Sequence, residues 1–311
     1  MSNTARAEAG STTPTIVDRV AAAPISWGVC EVPGWGQQLE PDRVLAELGR
    51  LGIEATEAGP DGYLGVDPDA VKARLERHGL TLVGGFLPLV LHDPARLEVS
   101  LASVHRTAAL FSEAGAGVLC SAAVVDDGWS PRIELDDAQW AHLVHALALV
   151  DLVAAEHGVR HVLHPHWETL VEQAADVARV LEQSDVSLCL DTGHFALGRF
   201  DPLVLARDHP ERVGHVHLKD VREAVARRLR AGELELVAAV REGLFQPLGA
   251  GDLPLGEVVA ELELAGYDGW YVLEQDTAIL GDVPDDDTGP VADVRRSLGF
   301  LRREVAGARD A

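Results

Sequence analysis

Carboxylates and imidazoles recur in the second half of the chain, each just after a short apolar run. His164 and His166 flank one proline, Asp191 opens an Asp-Thr-Gly-His run, His217 closes a His-Val-His run, and Glu274 follows a Tyr-Val-Leu run. These apolar runs are β-rich and bounded by polar residues, as strands buried on both faces are. The polar side chains therefore stand at the carboxyl ends of predicted strands, where α/β barrels carry their chemistry.

The types of these residues predict a divalent metal site. Asp191, His217 and Glu274 come from three successive predicted strands, and such a set leaves coordination positions open for substrate or water. Taken singly, each is explained equally well by a strand-end hydrogen bond, but their coincidence favours a metal. Since His164 and His166 point to the same side of an extended backbone, one can bind the metal while the other contacts substrate. We expect His164 to be the fourth ligand and His166 to contact substrate.

Three further residues are candidate acids or bases. Only two of the 26 Lys and Arg residues are lysines, Lys72 and Lys219. Lys219 lies two positions after the predicted ligand His217, and a lysine in a chain that otherwise uses arginine suggests a specific role. His194 lies where the chain leaves its predicted strand and is expected to face the mouth of the barrel. Glu57 ends the second predicted strand, opposite the metal side. Trp27 is a candidate apolar wall for a sugar ring, although an aromatic residue there is more often part of the core.

Strand and helix patterns alternate eight times along the chain, which predicts a closed (β/α)8 TIM barrel rather than an open sheet. We expect a leader without fixed structure over residues 1–20 and a single barrel domain over 21–311. The stretch 221–251 is longer than a strand–helix connection needs and is expected to form a helical insertion near the site. The predicted strands cover residues 24–30, 53–57, 80–87, 117–124, 159–164, 186–191, 212–217 and 270–274.

Composition excludes several classes of function. The formal net charge of −24 disfavours nucleic acid and anionic lipid as partners. Cys30, Cys120 and Cys189 are odd in number and widely spaced, which argues against a disulfide framework or a structural zinc. No stretch was expected to be apolar enough for a membrane span, and no secretory signal is recognisable. The sequence thus predicts a cytoplasmic protein that acts on a small molecule.

Several motifs together resemble the xylose-isomerase-like TIM-barrel superfamily, and within it the chain is most similar to the inosose (2-keto-myo-inositol) dehydratases. The resemblance spans residues 24–303. The motifs are Pro-Ile-Ser-Trp-Gly, Thr-Glu-Ala-Gly-Pro-Asp-Gly-Tyr-Leu, His-Pro-His, Asp-Thr-Gly-His, His-Val-His-Leu-Lys-Asp, Gly-Leu-Phe-Gln-Pro-Leu-Gly-Ala-Gly-Asp, and Gly-Tyr-Asp-Gly-Trp running into Leu-Glu-Gln-Asp.

The resemblance implies a metal-dependent lyase that removes water from a cyclic polyhydroxy ketone through an enediolate. The implied metal is Mn²⁺ or Co²⁺, with Zn²⁺, Fe²⁺ and Mg²⁺ as alternatives, bound by the strand-five residue with Asp191, His217 and Glu274. Glu57 or a histidine would take the proton, and Lys219 or His194 would protonate the departing hydroxide. Glu168 stands where dehydratases are expected to carry a small residue, and it is a candidate substrate contact that bears on the exact substrate.

Three rival functions share the barrel. A metal-dependent isomerase or epimerase of a ketose would stop at reprotonation, but sugar epimerases of the superfamily usually carry glutamate where this chain has His164. A metal-dependent abasic-site endonuclease needs a basic DNA-binding face, which a chain of charge −24 is not expected to offer. A non-catalytic sugar-binding module would be expected to lose the metal residues. A homo-oligomer is expected by analogy with such barrels alone.

Overall fold

Eight parallel strands close into a barrel in the computed structural model, which describes residues 16–309. Around the barrel, each strand neighbours the next barrel strand in the chain, and the last pairs with the first. The predicted (β/α)8 fold is confirmed. The barrel strands are β1 (Val20–Ala22), β2 (Ala55–Glu57), β3 (Thr81–Leu89), β4 (Val118–Ala123), β5 (Arg160–Leu163), β6 (Ser187–Asp191), β7 (Val213–Leu218) and β10 (Tyr271–Leu273).

Helices surround the barrel, and most of them bury one face in a common core with its strands. They are α1 (Pro41–Leu51), α2 (Pro68–Arg77), α3 (Leu97–Ala114), α4 (Asp137–Glu156), α5 (Ala174–Gln183), α6 (Thr192–Leu197), α7 (Pro202–Asp208), α8 (Glu223–Arg230), α9 (Leu236–Arg241), α10 (Leu255–Leu264) and α11 (Pro290–Arg309). Four 3-10 turns cover Ile16–Arg19, Pro24–Trp27, Pro94–Arg96 and Pro210–Arg212. The main core lies between this helical layer and the strands.

The first strand was predicted at the wrong place. Strand β1 is Val20–Ala22, whereas Pro24–Trp27, inside the predicted strand, forms a 3-10 turn. Alanine has a low β-strand propensity, so the sequence gives little signal for β1. Its small side chain nevertheless fits the place where Ala21 packs with Ala55 and Val272. Of the predicted leader, residues 1–20, the first fifteen lie outside the described residues. The last five, residues 16–20, belong to a 3-10 turn and to the start of β1.

Helix α4 is the one described helix that is long and apolar enough to cross a membrane, with a mean hydropathy of 1.4, contrary to the expectation that no segment would be. It begins at a capping box formed by Asp136 and Gln139. Its residues Trp140, Leu143 and Leu147 are buried in the main core. These contacts are those of a core helix.

The stretch 221–251 forms a compact insertion beside the barrel mouth. It contains α8 and α9, which lie between two short strands, β8 (Asp220–Val221) and β9 (Phe245–Gln246), that pair antiparallel with each other. The buried Asp220 carboxylate closes the insertion, since it accepts hydrogen bonds from the backbone N–H groups of Val221, Gly249, Gly251 and Leu253. The insertion and Trp35 share a second hydrophobic cluster.

Candidate metal centre and active-site pocket

Four predicted ligands meet at the carboxyl ends of four neighbouring strands. Asp191 ends β6, His217 lies in β7, and His164 and Glu274 directly follow β5 and β10. One ligand atom from each of the four lies within 4.8 Å of the other three. All but Glu274 are fully buried or nearly so. The barrel thus brings together the residues that the sequence predicted as a metal site.

Hydrogen bonds outside the cluster fix which ring nitrogen of each histidine is free to bind a metal. His217 Nε2 lies 3.1 Å from Glu57 Oε1, so this nitrogen carries the proton and His217 Nδ1 presents a lone pair to the cluster. His164 Nδ1 donates to the Pro165 carbonyl at 2.9 Å, so His164 Nε2 carries the lone pair towards Asp191. Such partners orient metal-binding histidines and set their tautomer.

Three atoms of the cluster are buried acceptors without a hydrogen-bond partner: Asp191 Oδ2, His217 Nδ1 and Glu274 Oε2. His217 Nδ1 lies 2.7 Å from Glu274 Oε2 and 3.7 Å from Asp191 Oδ2, but the angles do not make a hydrogen bond. Buried polar atoms left unpaired are costly. A divalent cation held by these residues would pair all three atoms, and the residues present fit one.

The two carboxylate oxygens of Asp191 make different contacts. Its Oδ1 accepts from the His194 backbone N–H at 2.8 Å and so caps the N-terminus of α6, while Oδ2 points into the cluster. Burial raises the pKa of Asp191, but the Lys219 ammonium and the neighbouring histidines together lower it more, so that pKa lies well below its usual range. Asp191 is therefore an ionised ligand whose orientation is set by a helix.

Lys219 is a buried cation beside the metal ligands. Its Nζ lies 2.6 Å from Asp276 Oδ1, 3.4 Å from Glu274 Oε2 and 3.5 Å from Asp191 Oδ2. Burial lowers the pKa of Lys219, but Asp191 and Asp276 raise it more, so it lies above its usual range. Burial also raises the pKa of Asp276, to about 6. Asp276 has no role predicted from the sequence, where only its position after Glu274 could have suggested one.

His194 and His166 lie beside this lysine. His194 Nε2 is 3.0 Å from Lys219 Nζ, and the two imidazole rings stack with centroids 3.7 Å apart. Burial lowers the pKa of both histidines well below the usual value, with the neighbouring His164 and Lys219 adding to the effect for His166. His166 Nδ1 donates to the Trp167 carbonyl at 2.8 Å, which leaves His166 Nε2 as a neutral acceptor.

Glu57 reaches the centre from the far side of the barrel. Its Oε1 accepts from His215 Nε2 at 2.8 Å as well as from His217 Nε2. Burial raises the pKa of Glu57, but His217 and His215 lower it more, so it stays ionised. Since the carboxylate is occupied by two N–H groups, its observed contacts are those of a residue that positions His217.

A pocket of about 210 Å³ opens above the cluster and is lined by Glu57, His164, His166, Lys219 and Glu274. Glu168 also lines it, and the insertion contributes the residues Glu235, Leu236 and Val237. Its aromatic walls are Trp35, Phe86, Trp129 and Trp167. None of these four was predicted from the sequence, because an isolated aromatic residue in a loop or strand is more often part of the core.

The substrate-binding role predicted for Trp27 is wrong. Its side chain is fully buried, and Nε1 donates to the buried Glu47 carboxylate at 2.7 Å. A neighbouring arginine, Arg43, also donates to Glu47 at 3.2 Å. Trp27 is therefore a core residue tied to α1, because strand β1 ends before it and the 3-10 turn directs its side chain outward to the helical layer.

Comparison with protein families decides where the chain belongs. The model of the xylose isomerase-like TIM barrel family matches residues 43–304, which is most of the chain and includes every strand from β2 onward. The chain belongs to this family. The resemblance suggested by the motifs is thereby confirmed.

Relatives within the xylose isomerase-like family are similar over most of their length. An inosose dehydratase of Geobacillus kaustophilus (strain HTA426) is 33% identical over 279 residues, covering 84% of this chain and 89% of the relative. The rhizopine catabolism protein MocC of Rhizobium meliloti is 30% identical over 267 residues, covering 82% and 81%. The predicted class, an enzyme of the sugar-modifying kind, is confirmed.

Solved structures support the same fold. An L-ribulose 3-epimerase superimposes with a TM-score of 0.68 at 19% identity, covering 94% of this chain and 96% of that one. The probable 3-DHS dehydratase AsbF of Bacillus anthracis superimposes with a TM-score of 0.68 at 14% identity, covering 91% and 98%. At such low identity these likenesses show the fold alone.

The converging lone pairs predict the effect of Glu274→Gln. We expect the wild-type melting temperature to rise when Mn²⁺ is added, since an ion bound only by the folded state at 100 times its Kd stabilises it by about 2.7 kcal/mol. Glu274→Gln removes one charged ligand, so the rise should largely vanish and Mn²⁺ affinity should fall, as calorimetry would measure. Glu168→Gln, in the same pocket but outside the cluster, is the matched control. Normal Mn²⁺ binding by Glu274→Gln would remove Glu274 from the ligand set.

Proposed function

We propose that this protein removes water from a cyclic polyhydroxy ketone, with 2-keto-myo-inositol as its substrate and Mn²⁺ or Co²⁺ as its metal. The observation that carries the proposal is the set of unpaired acceptors on Asp191, His217 and Glu274, with the Lys219 ammonium beside them. Similarity to two inosose dehydratases, 33% and 30% identical to this chain, suggests the substrate. His164 in place of a glutamate disfavours a two-glutamate epimerase.

His164, Asp191, His217 and Glu274 would hold the ion. A divalent ion there would supply Lewis-acid polarisation of the ketone, which makes the adjacent C–H bond acidic. The chain itself must then provide a base for that proton and an acid for the leaving hydroxide.

His166 fits the role of the base. Its Nδ1 proton is engaged by the Trp167 carbonyl, so Nε2 presents a lone pair, and the residue lines the pocket. Glu57 fits less well because its Oε1 already accepts two N–H bonds. We therefore assign the role of base to His166, which was expected to contact substrate. Glu57 keeps a positioning role, in which it holds the His217 ring in place.

Lys219 fits the role of the acid. It lines the pocket, and its ammonium can give a proton to the departing hydroxide, which leaves as water. The carbon–hydrogen bond and the carbon–oxygen bond break as the ring double bond forms, and the enol so produced becomes the diketone when its proton moves from oxygen to carbon. His166 gains one proton and Lys219 loses one, and both return to their starting states by exchange with solvent.

The reaction is tested by NMR on the manganese-loaded protein with 2-keto-myo-inositol in deuterated water. We expect loss of the ring hydroxyl and formation of a cyclic diketone. His166→Gln should lower the rate by roughly 10²–10⁴-fold, as removal of a general base does. Deuterium appearing beside the ketone without loss of water would move the assignment to an isomerase or epimerase.

Gly193→Ala tests the role of Lys219 without changing the lysine. A Cβ at residue 193 would lie 2.7 Å from Lys219 Cγ and 2.8 Å from Cδ, so the lysine stem must move. We expect metal to be retained while kcat falls by roughly 10–100-fold, less than complete loss of a general acid. Gly117→Ala, whose Cβ would meet nothing within 4 Å, is the matched control. Unchanged kcat in Gly193→Ala would contradict the proposal that the Lys219 ammonium acts as an acid held in a fixed position.

A further inference from the structure

Two of the three cysteines meet inside the barrel, one layer deeper than the metal centre. Cys189 precedes Asp191 by two residues on β6, so both side chains point to the same side of that strand. Cys120 lies on β4. Both cysteines are fully buried, and they pack with Val162 of β5, the strand between them, in a small hydrophobic cluster of their own. The fold therefore joins two thiols that lie far apart in the sequence.

His217 lies close enough to both thiols to share one ion with them. One ligand atom from each of Cys120, Cys189 and His217 lies within 4.8 Å of the other two, and all three residues are buried. Two thiolates and an imidazole are ligands that soft and borderline ions such as Zn²⁺ prefer, whereas carboxylates suit Mn²⁺. This set therefore selects a different class of ion from the one expected at Asp191 and Glu274.

The third cysteine shows what distinguishes this pair. A buried cysteine on its own behaves as a small apolar side chain and needs no partner. Cys30 is partly buried and belongs to none of the groups of described residues that could hold a metal. Cys120 and Cys189 each have a second thiol and an imidazole nitrogen within reach. Packing alone does not require two thiols and an imidazole at one place.

His217 also belongs to the candidate metal centre, and its ring cannot serve both sites at once. A neutral imidazole has one lone pair. With Nδ1 bound at the thiols, that lone pair is lost to Asp191 and Glu274 directly. With Nε2 bound there, the proton that Glu57 accepts must move to Nδ1, where it faces the same two carboxylates. An ion held by the two thiols therefore removes a ligand from the metal centre whichever nitrogen it uses.

We propose that Cys120, Cys189 and His217 form a second metal site, the thiol site, for thiophilic divalent ions such as Zn²⁺ and Cd²⁺, and that an ion bound there excludes Mn²⁺ from the metal centre. Each thiol loses its proton to solvent as the ion binds, so the two thiolates balance the charge of the ion. The inference goes beyond the proposed function. It concerns which metal occupies the barrel and can be measured without substrate.

Ultraviolet absorption with Cd²⁺ tests the thiol site itself. Cd²⁺ bound by thiolates gives a charge-transfer band that Cd²⁺ bound by nitrogen and oxygen does not. We expect one equivalent of Cd²⁺ to produce this band in metal-free protein kept reduced by a reagent without thiols. Cys120→Ser and Cys189→Ser should each weaken the band, and the double variant should abolish it. Cys30→Ser is the matched control and should keep it. No band in the wild type, or the same band in the double variant, would overturn the thiol site.

Calorimetric titration with Mn²⁺ in the presence of Cd²⁺ tests the exclusion. With free Cd²⁺ at about 100 times its Kd, competition should raise the apparent Kd for Mn²⁺ about 100-fold in the wild type and in Cys30→Ser. The double variant should bind Mn²⁺ with wild-type affinity when Cd²⁺ is absent, which shows that it is folded. At the same Cd²⁺ concentration its Kd should rise at least tenfold less, and the alanine double variant, Cys120→Ala with Cys189→Ala, should behave in the same way.

Two results would overturn the exclusion. An equal rise in the wild type and in both double variants would mean that Cd²⁺ competes at the metal centre alone. A full thiolate band without any change in Mn²⁺ affinity would mean that His217 is not shared. Exclusion that depends on both cysteines, in a protein that removes no water from 2-keto-myo-inositol, would support this inference while contradicting the dehydratase.

Discussion

The structure depends on one electrostatic constraint: three buried polar atoms of the proposed metal site converge on one another without a hydrogen-bond partner. His217 Nδ1 lies 2.7 Å from Glu274 Oε2 and 3.7 Å from Asp191 Oδ2, and none of the three atoms has a hydrogen-bond partner. The residues around them accommodate this arrangement. Glu57 holds the proton of His217 on the far nitrogen, and the Lys219 ammonium offsets part of the negative charge. A divalent cation would complete the balance.

Much of this centre could be predicted from the sequence because it follows from local patterns. Short apolar runs ending in polar residues mark strand ends, and alternation with helices predicts a closed barrel, so His164, Asp191, His217 and Glu274 had to share one rim. Strand β1 was misplaced because its alanines carry little β signal, and Trp27 was wrongly assigned with it. The aromatic walls could not be predicted, since loop conformation decides where those rings point.

One side of the pocket is polar and the other is apolar. The metal ligands and Lys219 come from β5, β6, β7 and β10, where polar side chains follow rigid parallel strands. Phe86 on β3 and Trp129 after β4 form the apolar side, and the insertion closes the mouth with Leu236. His166 lies between the two sides, with its ring centroid 5.8 Å from that of Trp129 and 3.7 Å from that of His194. A ring held against the aromatic side would present its ketone to the metal ligands and its C–H bond to His166.

Anomalous diffraction from crystals loaded with Mn²⁺ tests the central claim most directly. Described residues form three groups able to hold a metal, and His217 belongs to all three. The account predicts one anomalous peak roughly 2.0–2.3 Å from His164 Nε2, Asp191 Oδ2, His217 Nδ1 and Glu274 Oε2, as N and O ligands require. A peak at the Glu57–His215 side or between Cys120 and Cys189, or no peak at all, would contradict it.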